Sequence, residues 1–129
     1  LGGVVNHELY FLNMDPARNN IPMGSIKTAI DNKYGSYENF KKEFIKKAME
    51  FRGSGYVFLV LNTNGELEII ALSNQDSPYN YGLIPIMAMD IWEHSYYLKH
   101  QNRKEDYFND FFEVVNFSYI NNLYEDEKM

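Results

Sequence analysis

The chain has 129 residues, which is enough for one domain with its own hydrophobic core, and 45% of them are hydrophobic. The formal net charge of −6 argues against a nucleic-acid-binding protein, since that class needs a clustered basic surface. No cysteine is present, which excludes disulfides, thiolate metal sites and cysteine nucleophiles, and no apolar stretch is long enough to span a bilayer.

The first part of the chain is predicted to be helical. Apolar spacing predicts a short helix within residues 1–14, followed by a loop that runs to Pro22. A second helix is predicted over residues 24–34, with Gly35 as its left-handed C-terminal cap and Ser36 as the N-cap of a third helix. That third helix should reach about residue 51, with one apolar stripe formed by Phe40, Phe44, Ala48 and Phe51.

The middle of the chain is predicted to form a three-stranded antiparallel sheet. Strands are predicted, in order, over residues 56–61, 67–72 and 83–89. Asn64-Gly65 predicts a hairpin between the first two strands, and a polar loop over 74–82 precedes the third. Helices are predicted again over 106–115 and from Asn116 onwards. The fold class is therefore α+β, with helices flanking the sheet.

A carboxylate and an imidazole, those of Asp90 and His94, lie four residues apart just behind the third predicted strand. Without cysteine, any metal must be held by His, Asp or Glu, and these two residues with His7 form a typical partial shell for iron or manganese. The same set would also suit a non-haem iron oxygenase, or Asp90 could simply cap a turn beside an ordinary half-buried histidine. No Gly-x-Ser-x-Gly elbow and no phosphate-binding glycine loop is present.

The segment DIWEHSYYL, from Asp90 to Leu98, resembles the metal-binding signature of the iron/manganese superoxide dismutases. Five other segments resemble that family in the same order along the chain: GGVVNH (2–7), GSGY (53–56), NQD (74–76), GLIP (82–85) and QNRKEDY (101–107). The resemblance therefore covers nearly the whole chain. It implies the family's fold and its reaction, the metal-dependent disproportionation of superoxide to dioxygen and hydrogen peroxide.

The resemblance also implies a metal site. His7, Asp90 and His94 would be three of the four protein ligands of one manganese (or iron) ion per subunit. The fourth ligand, a histidine, and a tyrosine at the substrate entrance belong to the family's N-terminal helical hairpin, which has no counterpart here. We therefore expect residues 1–20 to be the end of that hairpin domain and residues 21–129 to be the C-terminal α+β metal-binding domain. The first residue is not methionine, which fits a chain cut from a longer protein.

Three further residues have roles implied by the same resemblance. Gln75 matches the outer-sphere glutamine that hydrogen-bonds the solvent at the metal, although a surface loop residue is the alternative. Iron-type members usually carry that glutamine in the segment before the family's second ligand histidine, which His7 matches, and this chain has Gly3 there. A glutamine at position 75 is therefore the manganese-type arrangement, although some members work with either metal. Glu93 would accept a hydrogen bond from the partner subunit's His94 across a two-fold interface, and Tyr97 would reach across that interface.

The aromatic positions show how this chain departs from the family pattern. Trp92 would wall the metal pocket while also serving as core, and it is the single tryptophan of the chain. Tyr56 and Phe58 are among the positions where the family often has tryptophan, so the hydrogen bond that positions Gln75 is in question. Lys104 replaces a common arginine near the mouth of the site, which keeps the positive charge and loses the planar fork.

The implied partners are superoxide, as the substrate, and further copies of the chain in a homodimer or tetramer, with no nucleic acid and no membrane. The expected compartment is the cytoplasm, by default, from the cysteine-free composition and the habit of the family. The alternative function is an inactive fragment or degenerate relative that serves as a structural or interaction domain. Its support is the missing fourth ligand and the replaced tryptophans.

Overall fold

Helices flank a three-stranded antiparallel sheet in the computed structural model, which describes residues 21–51, 53–73, 76–91 and 104–128. In chain order the elements are α1 (Gly24–Tyr34), α2 (Tyr37–Glu50), β1 (Gly55–Leu61), β2 (Leu67–Ser73), a 3-10 helix (Pro78–Tyr81), β3 (Ile84–Asp90), α3 (Lys104–Val114) and α4 (Phe117–Lys128). The predicted α+β class is confirmed. The helix predicted within residues 1–14 lies outside the described residues.

A tight turn joins α1 to α2, and its two residues have the predicted roles. Gly35 has a φ of +88°, which suits a residue without a Cβ atom, and its N–H donates to the carbonyl of Asp31 at 2.9 Å. The hydroxyl of Ser36 accepts a hydrogen bond from the backbone N–H of Asn39 at 3.1 Å, as an N-cap does. Helix α2 ends one residue earlier than predicted because Phe51 has an extended backbone.

A five-residue loop connects β1 to β2, and Asn62 holds it together. Its side-chain Oδ1 accepts hydrogen bonds from the backbone N–H groups of Asn64, at 2.9 Å, and Glu66, at 3.0 Å. Gly65 supplies the positive φ, +77°, that the turn requires. The predicted hairpin is thus confirmed, with Leu61 and Leu67 facing each other at its base.

Strand β3 pairs with the other side of β1, so the strand order is β2-β1-β3 and β1 is central. A shift in register between Leu59 and Val60 bends the pairing of β1 with β3. Strand β3 runs to Asp90, one residue beyond the predicted end. Asp90 therefore belongs to the sheet, and its pairing with Tyr56 fixes the face of the sheet on which its side chain lies.

The two faces of the sheet carry two separate apolar clusters, since side chains alternate along a strand. The helix-side face packs against the helices and is formed by Val57, Leu59, Leu61, Met87 and Met89 with Phe40, Phe44, Phe108 and Phe112, among others. The opposite face, here called the Asp90 face, is formed by Tyr56, Phe58, Val60 and Ala88 with the half-buried Ile70, Leu72 and Leu83. All seven residues of β1 are buried, so this strand contributes to both clusters.

Helix α4 closes the helical layer. The side chain of Asn116 accepts a hydrogen bond from the backbone N–H of Tyr119 at 3.0 Å, which starts the helix. Further along, the Oδ1 of Asn121 accepts from the backbone N–H of Ile26 at 2.9 Å and so ties α4 to α1. Among the helices of the described residues, none has the length and apolar character needed to cross a membrane.

Candidate metal centre

Asp90 lies at the C-terminal end of β3 and is 3% exposed. It faces Tyr56 of β1 in the antiparallel ladder, and the next pair is joined by a hydrogen bond from the Ile91 N–H to the Gly55 carbonyl at 2.9 Å. Because bonded and non-bonded pairs alternate in such a ladder, Tyr56 and Asp90 form a pair of the closer, non-hydrogen-bonded kind. Their side chains therefore leave the sheet side by side on the same face.

The described residues beside Asp90 on this face are aromatic or aliphatic. Tyr56 is 1% exposed and stacks on Phe58, with ring centroids 5.9 Å apart, and Phe58 is fully buried. Ala88, two residues before Asp90 on the same strand, belongs to the same cluster. A buried carboxylate is stabilised by hydrogen bonds or by compensating charge. A divalent cation is one source of such charge, and carboxylate oxygen is a suitable donor for manganese or iron.

The main chain of Asp90 is held from the helical layer. The hydroxyl of Tyr107, on α3, donates a hydrogen bond to the backbone carbonyl of Asp90 at 3.2 Å. Tyr107 ends the segment QNRKEDY (101–107), which resembles the family, but no role at the site was predicted for it. The sequence does contain a chemical hint of such a contact, because a tyrosine on an otherwise apolar helix face needs a hydrogen-bond partner for its hydroxyl.

The other predicted site residues lie outside the described residues: His7, Gln75, Trp92, Glu93, His94 and Tyr97. Their roles stay predictions. Within residues 21–51, 53–73, 76–91 and 104–128, no three His, Asp or Glu side chains group closely enough to hold a metal ion. A complete shell around Asp90 would therefore draw ligands from segments outside those ranges.

The loop that follows Gln75 is organised by Asp76. One carboxylate oxygen of Asp76 accepts from the N–H of Ser77, at 3.0 Å, and from the side chain of Asn80, at 2.8 Å. The other accepts from the hydroxyl of Tyr81 at 2.5 Å. These hydrogen bonds, that of Tyr81 above all, lower the pKa of Asp76 because they favour its charged form. The loop thus reaches β3 through a fixed 3-10 turn.

A groove of about 460 Å³ lies between α2 and α3, and Asp90 is not part of its lining. It is lined by Glu38, Lys41, Lys42, Ile45, Lys46, Met49 and Asn109. Lys42 and Lys46, in its lining, are exposed. Lys41 is half-buried instead, with its ammonium 5.7 Å from the ring centroid of Tyr37 and 5.8 Å from that of Phe112.

Comparison with known proteins identifies what this chain is similar to. The family model described as iron/manganese superoxide dismutases, C-terminal domain, matches residues 22–123. A superoxide dismutase (Mn) 3 from Leptolyngbya boryana is 42% identical over 124 residues, which cover 96% of this chain and 52% of the relative. Proteins named superoxide dismutase (Mn) from Listeria ivanovii and Listeria innocua are 40% and 41% identical over 127 residues, covering 98% of this chain and 62% of each relative. The chain thus spans between about half and three fifths of the length of these relatives.

Proposed function

The chain belongs to the iron/manganese superoxide dismutase family, and on that premise we propose that the protein disproportionates superoxide to dioxygen and hydrogen peroxide at a metal ion. The observation that carries the proposal is the buried carboxylate of Asp90 at the end of β3, where the family resemblance expects a ligand. A non-haem iron oxygenase with the same ligand types is not supported, because the match extends over residues 22–123 rather than over the ligands alone.

Three residues of this chain would hold the ion. Asp90 contributes a carboxylate from a rigid strand end, and His7 and His94 would contribute imidazoles. Oxygen and nitrogen donors of this kind suit manganese or iron, and we propose one ion per subunit. Manganese is the first choice, because the relatives compared above carry Mn in their names and because Gln75 is placed as in the manganese type.

The chemistry that the ion would supply is a one-electron oxidation of one superoxide and a one-electron reduction of a second, with two protons taken up. The carboxylate of Asp90 would keep the net positive charge of the site low, beside the buried rings of Tyr56 and Phe58. Gln75 would donate a hydrogen bond to solvent in the pocket and so help to deliver protons. Trp92 would exclude further water from one side.

We also propose that two or four copies of the chain assemble. Glu93 would accept a hydrogen bond from the partner subunit's His94 and fix the orientation of that ring, and Tyr97 would reach across the same interface. For the compartment we propose the cytoplasm, supported by the absence of cysteine from the whole sequence.

The alternative, an inactive relative that serves as a structural domain, draws on the replacement of family tryptophans by Tyr56 and Phe58. Both side chains are fully packed, and their rings stack at 5.9 Å. The aromatic filling of the Asp90 face is therefore preserved in this chain. The replaced tryptophans thus leave no packing defect at these positions that would support the inactive relative.

The test of the proposed function is the replacement Asp90→Asn in the natural full-length gene product. We expect the wild type to purify with manganese or iron and to remove superoxide, and the variant to bind the metal more than about 100-fold more weakly, since the loss of a ligand exceeds the loss of an outer-shell partner. Metal analysis together with a superoxide assay measures both. Asp31→Asn is the matched control, because Asp31 makes an exposed pair with Lys27 at 2.7 Å in α1. A variant at position 90 with full metal content and full activity would refute the proposal.

A further inference from the structure

Tyr107 contacts the main chain of Asp90, the proposed metal ligand on β3. Its hydroxyl is 3.2 Å from the carbonyl oxygen of Asp90, and the two residues are seventeen positions apart in sequence. The contact joins α3 to the last residue of β3. It therefore connects the helical layer directly to the end of the strand from which the carboxylate leaves.

The ladder explains why the carbonyl of Asp90 is available to α3. Because Ile91 donates to Gly55, the pair of Tyr56 with Asp90 is the non-hydrogen-bonded kind, in which main-chain groups point away from the partner strand. Strand β3 is an edge of the described sheet, so this direction leads outward from β1. On that outer side, the Tyr107 hydroxyl donates its hydrogen bond to the Asp90 carbonyl.

Tyr107 is itself fixed by its helix. Its ring packs against the fully buried Phe108, with centroids 5.7 Å apart, and against the helix-side cluster. A hydroxyl carried by a packed ring on a helix has few alternative positions. The bond to Asp90 is therefore made from a rigid support.

We infer that Tyr107 is a positioning residue for the metal site. It holds the main chain of Asp90 from the helical layer, while Ile91 holds the same strand end to Gly55, so the direction of the carboxylate on the Asp90 face is fixed before any ion binds. The inference rests on the proposed function, because it takes Asp90 to be a ligand. It adds that retention and electronic tuning of the ion depend on a hydroxyl that does not touch the ion.

The experiment compares Tyr107→Phe with the wild-type natural full-length gene product, loaded with manganese. The variant keeps the ring and removes one hydrogen bond, so we expect manganese to be lost to excess chelator about two- to tenfold faster. We also expect an altered EPR spectrum of the bound ion, since a reoriented carboxylate changes the ligand field. Tyr34→Phe is the matched control: Tyr34 is also half-buried, packs on Phe40 at 5.3 Å, and has its pKa raised to about 12, mainly by burial.

The control variant should release manganese at the wild-type rate and keep the wild-type spectrum, even if its unfolding temperature falls. Equal release rates and identical spectra for Tyr107→Phe and the wild type would overturn the role of Tyr107 and leave the proposed function standing. Equal acceleration in both variants would also overturn it, since the effect would then be general destabilisation. A wild type that binds neither manganese nor iron would overturn the inference together with the proposed function.

Discussion

The two faces of the sheet use the same central strand for different purposes. On the helix-side face, Val57 and Leu59 of β1 pack into a cluster that draws on the four described helices. On the Asp90 face, Tyr56 and Phe58 of the same strand belong to a cluster that is much smaller among the described residues and lies beside the buried carboxylate. Within that part of the chain, most of the apolar burial is therefore on the helix-side face, and the Asp90 face borders the proposed metal ligand.

Aromatic rings fill the centre of the helix-side face. Phe112 lies 5.6 Å from Phe44, 6.3 Å from Phe40 and 5.4 Å from Phe111, mostly edge to face. Such contacts add to the free energy gained by burying the rings. If the two faces are separable, damage here should lower stability without changing how tightly each folded molecule holds its metal.

The largest effect is expected from Phe112→Ala. Phe112 is 1% exposed, and truncation of a buried phenylalanine leaves a cavity that costs about 3–5 kcal/mol of unfolding free energy. Urea denaturation of the metal-free protein measures the loss. The rate of manganese release from the folded fraction should be unchanged, because the cavity lies on the helix-side face.

Tyr79→Ala is the control for this prediction. Tyr79 is an aromatic residue of the 3-10 helix that is 59% exposed, so its truncation should change the unfolding free energy by less than about 0.5 kcal/mol. Faster manganese release from folded Phe112→Ala would show that the two faces are coupled, and the comparison would then fail.

An intermediate effect is expected from Gly55→Ala, at the first residue of β1 and opposite the end of β3. A Cβ atom at Gly55 would collide with the backbone carbonyl of Leu72 and lie 3.0 Å from the ring of Phe51. Overpacking of this kind costs about 1–3 kcal/mol. Because the Gly55 carbonyl also accepts from Ile91, we expect faster amide exchange at Ile91 and faster manganese release.

The matched control for Gly55 is Gly82→Ala. A Cβ atom there meets nothing within 4 Å, although its φ of +73° makes the change cost about 1 kcal/mol of backbone strain. Both variants lower stability, but only the change at Gly55 should reach the strand end that carries Asp90. Equal exchange rates at Ile91 in the two variants would contradict the link between Gly55 and the site.

Most of the fold was predictable because its signals are local. Gly35 and Ser36 marked the turn between α1 and α2, and Asn64-Gly65 marked the hairpin. The division of β1 between two faces was not predictable, because an uninterrupted apolar strand carries no alternation that distinguishes its sides. The register shift at Leu59 also depends on tertiary pairing rather than on the local sequence.

The candidate site was predictable to a smaller extent. Residue types, spacing and family resemblance singled out Asp90, and its burial is consistent with the predicted role without testing it. The contact from Tyr107 could not be foreseen, because it joins a strand and a helix seventeen residues apart and depends on how α3 packs. The roles of His7, His94 and Gln75 stay predictions, since those residues lie outside the described ones.

The smallest effect is expected at Asp76, before the start of β3 and away from Asp90. Hydrogen bonds from Tyr81 and Asn80 lower its pKa below the ordinary value of 3.8, so the ionised form stabilises the folded state above that value. The contribution should disappear as the pH falls through the lowered pKa. We therefore expect Asp76→Asn to lower the melting temperature slightly at neutral pH, with the difference from wild type vanishing in acid.

Tyr81→Phe isolates the main cause of that shift, since Tyr81 makes the shortest of these hydrogen bonds, at 2.5 Å. It should reproduce part of the effect of Asp76→Asn at neutral pH and add little in the double variant, because both changes remove the same bond. The effect is small because Tyr81 is 58% exposed and solvent screens its interaction with Asp76. Neither variant should alter manganese release, because the bond joins Asp76 to Tyr81 and involves neither a proposed ligand nor the side chain of Gln75. A difference in melting temperature that grows on acidification would contradict the sign of the pKa shift, and faster metal release would show that this bond also holds the segment that carries Gln75.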